Sequence, residues 1–229
     1  MNATITLRDV SIGYGNNVIA SHLDAHLYAS ELVCLIGSNG VGKSTLLRTI
    51  AGFQPPLSSA LDVRKENIGI VLTEKPDVRQ LSVKDIIGLG RSAFTDFFGT
   101  LKDDDVAVIN RAMEMTNISH LSNRNFAHLS DGEKQKVMIA KTLAQMTPII
   151  LLDEPTAFLD YPSKIELLSL LKHLAHEEGK SILFSTHDVE LALGAVDTVW
   201  FMDASSGLYT CTPSEIQLSS QPPYISLIR

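Results

Sequence analysis

The sequence is poor in cysteine and has no long apolar run. Its 229 residues include two cysteines, Cys34 and Cys211, which are too few for a disulfide framework. No apolar stretch approaches the roughly 20 residues that span a bilayer. Met1–Val10 alternates polar and apolar residues as a strand does, without the charged start and apolar block of a secretory leader. We therefore expect a cytosolic globular protein in which Cys34 is a small buried hydrophobe.

Positive charge is also scarce. The chain has 19 Lys and Arg residues against 26 Asp and Glu residues, which gives a formal net charge of −7. Because nucleic-acid binding depends on many basic contacts to phosphates, this balance argues against a DNA or RNA partner. The densest acidic run, Asp103–Asp105, precedes helical apolar spacing. It predicts a solvated helix start and not a metal site.

A glycine-rich segment lies between the apolar run Leu32–Ile36 and a stretch of helical spacing. It reads Gly37, Ser38, Asn39, Gly40, Val41, Gly42, Lys43, Ser44 and Thr45. Glycines at such a junction let backbone N–H groups surround an anion, and the positive end of the following helix strengthens the attraction. Lys43 would neutralise the β- and γ-phosphates, and the Ser44 hydroxyl would bind Mg²⁺. The segment predicts a nucleoside triphosphate site, and the alternative is a plain strand-to-helix turn.

Two further apolar runs end in polar residues. Asp153 and Glu154 follow Ile149–Leu152, and Ser185–His187 follows Ile182–Phe184. Each run comes after a helical stretch, as in parallel α/β units, which bind ligands at the carboxyl ends of their strands. Asp153 would hold Mg²⁺ through its water shell, and Glu154 would orient or deprotonate an attacking water. The alternative is that both carboxylates are only the polar end of a buried strand.

The remaining pattern predicts an α/β fold with additions to a parallel sheet. Short strands over the first forty residues, including Val18–Ile19 and Leu23–Leu27, predict an antiparallel sheet. A mostly helical section extends from residue 83 to about residue 144. Thr198–Met202 and Leu208–Cys211 predict a hairpin around Ser205–Gly207, and the end of the chain, with Pro222 and Pro223, predicts no further element.

Several motifs follow the glycine loop in a fixed order: Leu129–Glu133, Ile149–Glu154, Pro155–Asp160 and Thr186–Asp188. Together they resemble the ATP-binding cassette (ABC) ATPase family, with its signature loop, carboxylate strand, D-loop and switch-histidine loop, over nearly the whole chain. The resemblance implies a P-loop NTPase (RecA-like) core with an N-terminal antiparallel β subdomain and a helical insertion. It also implies a single domain over residues 1–229, with the helical subdomain at about 76–147.

The same resemblance implies ATP and Mg²⁺ as cofactors and a head-to-tail homodimer. Ser130 and the Gly132 backbone of one copy would cap the γ-phosphate held by the other. His187 would contact the γ-phosphate and hold Glu154 and the water in line, and Tyr14 matches the aromatic residue that stacks on adenine. The plain alternatives are a helix N-cap for Ser130, a structural role for His187 and a packing role for Tyr14.

Two positions depart from the family pattern. The family's Gln after an apolar-Gly-apolar segment is replaced, after Ile68–Leu72, by Thr73 and Glu74. We expect Thr73 or Glu74 to take over the contact with Mg²⁺, with altered coupling and slow basal turnover, although the Glu74 charge would repel the γ-phosphate. Asp131 replaces the first Gly of the signature, so its side chain must point away from the phosphate.

Within the family, four segments are most similar to the ATPases of iron-siderophore, haem and cobalamin importers: Leu89–Arg91, Phe97–Gly99, Ala144–Pro148 and Phe158–Asp160. This implies a membrane permease, a periplasmic or lipid-anchored binding protein, and a location on the inner face of the cell membrane. Two alternatives stay open. One is a non-transport ABC ATPase, and the other is a catalytically weak ATP-sensing subunit, which the missing Gln would favour.

Overall fold

A parallel sheet of buried strands forms the centre of the fold. The computed structural model describes residues 3–58, 61–74, 78–96, 99–203 and 207–218. The strands are β1 (Ala3–Tyr14), β2 (Asn17–Tyr28), β3 (Leu32–Gly37), β4 (Leu61–Asp62), β5 (Ile68–Val71), β6 (Ile149–Leu152), β7 (Ser181–Ser185), β8 (Thr198–Asp203) and β9 (Gly207–Cys211). The helices are α1 (Lys43–Ile50), α2 (Val83–Gly88), α3 (Asp103–Met115), α4 (Asp131–Ala144), α5 (Tyr161–His176), α6 (Val189–Leu193) and α7 (Pro213–Leu218).

The main sheet has the strand order β5-β6-β7-β3-β8-β9. Strands β5, β6, β7, β3 and β8 pair in parallel, and β9 joins antiparallel to β8. Both faces of β3 are covered, because Cys34 and Ile36 belong to one hydrophobic core whereas Val33 and Leu35 belong to the other. Burial raises the pKa of the Cys34 thiol to about 12, as suits the small hydrophobe expected there. The predicted α/β class is confirmed.

A second, antiparallel sheet of order β2-β1-β4 covers one face of the main sheet. Its two long strands have 12 residues each, so the prediction of separate short strands at Val18–Ile19 and Leu23–Leu27 was wrong. Both segments belong to β2, and the pairing of β1 with β2 continues through several register shifts. At these bulges Asp9 and His22 take left-handed backbone angles of 52° and 56°, which interrupt the alternation that the sequence pattern relies on.

The chain after β7 contains a hairpin and a helix. Strands β8 and β9 form the hairpin that the sequence predicts, although Ser205 and Ser206 lie outside the described residues. Helix α7 was not predicted. It begins at Pro213, where proline fits the first turn of a helix. Phe97, Phe98, Pro222 and Pro223 also lie outside the described residues.

Helices α2, α3 and α4 lie between β5 and β6 in the chain. Helix α4 makes a close contact at each of two glycines, Gly69 in the sheet and Gly90 in the helical section itself. A Cβ at Gly69 would lie 2.3 Å from Thr142 Cγ2, and one at Gly90 would lie 2.3 Å from the Lys141 carbonyl oxygen. Helix α4 therefore packs directly on β5 and on the 3₁₀ turn Leu89–Arg91. The boundaries of about 76–147 stay a prediction. Among the described residues, no helix combines the length and apolarity needed to cross a membrane.

The acidic run at the start of α3 is only partly solvated, which corrects the sequence prediction. Asp105 is 4% exposed, and its Oδ1 accepts a hydrogen bond from Arg91 Nε at 2.9 Å. Its Oδ2 accepts from the Lys102 backbone N–H at 3.0 Å, and Arg91 also donates to the Ala144 carbonyl. The Lys102 N–H first, and then the Arg91 guanidinium, lower the pKa of Asp105. This ion pair therefore fixes the start of α3 against the end of α4.

We predict that Asp105→Asn lowers the urea midpoint of unfolding at pH 7, because it leaves the buried Arg91 guanidinium without its charge partner. The pKa of Asp105 is lower in the folded chain than its ordinary value of 3.8. Its stabilisation is therefore full above that pH and is lost as the pH falls through the lowered value. The difference in urea midpoint between the wild type and Asp105→Asn should therefore become smaller below that pH. Asp104→Asn, at an exposed position of the same helix turn, is the matched control and should leave the midpoint unchanged. An equal effect of both variants would contradict the prediction.

Candidate active site

The loop between β3 and α1 has the backbone that an anion site requires. Gly40 and Gly42 take left-handed backbone angles of 77° and 112°, which residues with a Cβ adopt at a cost. At Gly37 a Cβ would lie 2.3 Å from the Met202 carbonyl oxygen, so only glycine fits against β8. Gly42 is the N-cap of α1 and supplies no side-chain hydrogen bond to it. The first N–H groups of α1 therefore have no side-chain cap and face the loop as donors for an anion.

Lys43 is buried against this loop. Its Nζ donates to the carbonyl oxygens of Gly37 at 2.8 Å and Ser38 at 3.1 Å. Burial lowers the pKa of Lys43, and the negative charges of Glu154 and Asp153 partly oppose this effect. The cation is thus held against the loop and near the two carboxylates. Its role in neutralising the β- and γ-phosphates stays a prediction.

The predicted metal ligands Ser44 and Asp153 are in contact. Asp153 is 3% exposed, and its Oδ1 accepts hydrogen bonds from Ser44 Oγ at 2.9 Å and from Ser185 Oγ at 2.8 Å. Thr73 lies beside them, but its Oγ1 donates to the Asp153 backbone carbonyl at 2.9 Å and not to the carboxylate. Hydroxyl and carboxylate oxygens are ligands that suit Mg²⁺, so Ser44 and Asp153 fit this ion.

Ser185 is a functional residue that the sequence analysis did not single out. Besides binding Asp153, its Oγ accepts from the Glu154 backbone N–H at 2.8 Å. Ser185 is fully buried, so this hydroxyl has no competition from water. One side chain thereby places both carboxylates at the edge of the sheet. The sequence signal that could have identified Ser185 is its position as a hydroxyl residue at the end of the buried strand β7, which pairs with β3.

Glu154 and His187 meet directly. His187 Nε2 lies 2.6 Å from Glu154 Oε1, and both side chains are partly exposed. The Glu154 backbone is left-handed, with φ 49°, which turns its side chain away from the strand direction. A carboxylate and an imidazole within hydrogen-bonding distance can together orient a water and accept its proton. The structure therefore brings together two residues that the sequence separates by a helix and a strand.

Ser130 and Gly132 lie apart from this cluster. Ser130 is the N-cap of α4: its Oγ accepts from the Glu133 N–H at 3.3 Å, and its own N–H donates to Glu133 Oε2 at 2.7 Å. This backbone hydrogen bond is the main reason that the pKa of Glu133 is lowered. Ser130 and Gly132 line a cavity of about 90 Å³ between α4 and α5. Within the described part of the chain, no hydrogen bond joins either residue to the glycine loop.

Tyr14 lies at the end of β1 and is 52% exposed, so it is not a core residue. An exposed aromatic ring at a strand end is free to stack on a planar ligand. Its assignment to adenine stays a prediction.

The chain is similar to known proteins of one family over most of its length. Residues 20–157 match the family model described as ABC transporter. The achromobactin transport ATP-binding protein of Dickeya dadantii is 36% identical over 224 residues, which are 93% of this chain and 83% of that protein. The iron(3+)-hydroxamate import ATP-binding protein of Bacillus subtilis is 34% identical over 203 residues, 82% of this chain and 75% of that protein. A solved transporter assigned to the metal-chelate type, in an inward-facing conformation, has a TM-score of 0.87 at 30% identity, with 96% of this chain and 86% of that chain covered.

Proposed function

Since this chain belongs to the ABC transporter family, as an ATP-binding and ATP-hydrolysing subunit that powers an importer, we propose that two copies close on ATP and Mg²⁺ beneath a membrane permease. The observation that carries the proposal is the contact of Glu154 with His187 beside the Asp153 cluster. A general base, its orienting partner and a cation site at one sheet edge are what hydrolysis of a phosphoanhydride needs.

The glycine loop would bind the phosphates. Its backbone N–H groups and the start of α1 would surround them, and Lys43 would turn from the carbonyls of Gly37 and Ser38 toward the β- and γ-phosphates. Ser44 and Asp153 would hold Mg²⁺, which supplies charge neutralisation on the phosphate oxygens when bound. Tyr14 would stack on the adenine ring. The remaining members of the proposed nucleotide site are Asn39, Gly40, Val41, Gly42 and Thr45.

Glu154 would act on the attacking water. Its carboxylate orients the water and takes its proton, while His187 holds the carboxylate in line and contacts the γ-phosphate. His187 can do both because an imidazole has two nitrogens that serve different partners. Ser185, through the Glu154 N–H, keeps the base at the sheet edge.

The second copy would complete the site. Ser130 accepts a hydrogen bond in its N-cap contact, so its O–H proton is still available for a phosphate oxygen of the partner copy. The Gly132 backbone and the positive end of α4 would add to this cap. The N-cap role that Ser130 has within one copy is therefore compatible with the role that the family resemblance implies. Asp131 would point away from the phosphate.

Residues 73–81 and the helical section would receive a loop of the permease, although residues 75–77 lie outside the described part. The chain would then sit at the inner face of the membrane and act on a periplasmic or lipid-anchored binding protein only through the permease. Closure of the ATP-bound dimer would change which side of the permease is open.

For the transported compound we propose a metal chelate, namely an iron-siderophore complex, haem or cobalamin. Relatives named for achromobactin and iron(3+)-hydroxamate support this class. We predict that the chain, purified with its permease and binding protein, retains a ligand that contains iron or cobalt, as measured by mass spectrometry. A transported ligand without metal would contradict this substrate class but not the ATPase function.

We predict that Glu154→Gln lowers steady-state ATP hydrolysis by at least about a hundredfold, because the amide cannot take a proton from the water. The variant should still bind ATP and should accumulate as a nucleotide-bound dimer, seen by size-exclusion chromatography. Glu177→Gln, at an exposed position after α5, is the control and should hydrolyse ATP normally. Unchanged turnover in Glu154→Gln, or no nucleotide affinity in the wild type, would overturn the proposed function.

A second candidate function is that of a catalytically weak ATP-sensing subunit. Thr73, which stands where the family has Gln, is the residue that favours it. Thr73 is bound to the Asp153 backbone and offers no amide to Mg²⁺ or the water. We predict that Thr73→Gln raises basal ATP hydrolysis severalfold and changes its stimulation by the permease, because the long amide can reach the metal site. Thr73→Ser keeps the hydroxyl and should behave like the wild type. If Thr73→Gln changes neither basal nor stimulated hydrolysis, this position is not the sensor.

A further inference from the structure

Asp188 connects two loops of the site through both of its carboxylate oxygens. Its Oδ2 accepts a hydrogen bond from Thr156 Oγ1 at 2.8 Å, and its Oδ1 accepts from Lys164 Nζ at 2.6 Å. Thr156 belongs to the segment that follows Glu154, and Lys164 lies in the first turns of α5. Asp188 itself follows His187. One side chain therefore joins the segment of the base to the segment of the imidazole.

The connection is closed by a second set of contacts. The Asp188 backbone N–H donates to Thr186 Oγ1 at 3.0 Å, and Thr186 Oγ1 lies 3.3 Å from Thr156 Oγ1. Thr156 and Thr186 are each 2% exposed, so these hydroxyls are shielded from water. The path from Glu154 through Thr156 and Asp188 to His187 returns to Glu154 by the 2.6 Å contact. A closed path of this kind fixes the relative position of its members better than a single hydrogen bond can.

The charge of Asp188 is favoured where it lies. Partial burial disfavours ionisation, but hydrogen bonds from Lys164 and Thr156, together with the nearby charges of Lys164 and His187, outweigh it and lower the pKa of Asp188. The carboxylate is thus present as an acceptor for two donors. An amide at this position would present an NH₂ group to one of these donors and lose that hydrogen bond.

Resting on the proposed function, we infer that Asp188, with Thr156 and Lys164, is a positioning residue for hydrolysis: it sets His187 against Glu154 and ties both to the start of α5. Asp160, the N-cap of α5, and the exposed Phe158 lie in the segment that this contact holds. A movement of that segment is therefore transmitted to the imidazole.

The test compares kcat and KM for ATP in the full chain. Asp188→Asn and Lys164→Met should each lower kcat about tenfold, since small misplacement of catalytic groups has large effects on rate, while KM stays within about twofold. The double variant should have the same kcat as Asp188→Asn, because both substitutions act on the same contact, that of Lys164 with Asp188. Lys164→Arg, which can still donate to the carboxylate, should recover most of the rate.

Glu178→Gln is the matched control, because it removes an ion pair of similar length, 2.7 Å to Arg111, outside the site. It should leave kcat unchanged. The inference is overturned if Asp188→Asn keeps the wild-type kcat, if the two single effects multiply in the double variant, or if kcat falls only in proportion to a loss of folded protein. If Asp188→Asn does not fold, the kcat values of Lys164→Met and Lys164→Arg test the inference: a wild-type kcat in Lys164→Met, or no recovery in Lys164→Arg, overturns it. A wild type that fails to hydrolyse ATP overturns the proposed function instead.

Discussion

A single carboxylate oxygen, Asp153 Oδ1, joins the segments that form the candidate active site. It binds Ser44 from the start of α1 and Ser185 from the end of β7, while Asp153 itself directly follows β6. The ends of two neighbouring strands, β6 and β7, are thereby joined to the start of α1 at one edge of the sheet. Because parallel strands end side by side, Asp153 and Ser185 reach the site at the ends of β6 and β7, and Ser44 reaches it at the start of α1, directly after the glycine loop. The positions of Glu154, His187 and Lys43 all depend on this contact.

The two hydrophobic cores make that edge rigid. Strand β3 contributes alternate residues to both cores, so it is held between the helices on one face and the N-terminal sheet on the other. The glycine loop begins where β3 leaves this packed region. The left-handed glycines and the close approach of Gly37 to Met202 then fix the path of the backbone around the site. The backbone of this loop thus has the shape that would hold phosphates.

The sequence predicted the parts of this site that depend on local patterns. Apolar runs that end in polar residues indicated β3, β6 and β7, and the glycine spacing indicated the loop before α1. The sequence did not predict contacts that depend on how distant segments pack. Asp105 was expected in solvent but pairs with Arg91, and Ser185 was not given a role although it binds the Asp153 carboxylate and the Glu154 backbone N–H. The bulges in β1 and β2 were missed for the same reason, since each depends on the partner strand. The roles of Ser130, Gly132 and Tyr14 in nucleotide binding involve partners outside a single chain and stay predictions.

The tight packing of Gly69 against Thr142 has a mechanical consequence. Helix α4 begins after Ser130 and passes over β5 near its other end. If the helix tilted about the glycine contact, the segment from Thr142 to Ser130 would be the moving arm and Ser130 would lie at its tip. At 1.5 Å per residue the arm measures about 18 Å, and a tilt of about 10° would carry its tip through roughly 3 Å. That displacement equals the length of one hydrogen bond. In the proposed homodimer, a tilt of this size would be enough to make or break the contact of Ser130 with the nucleotide of the other copy.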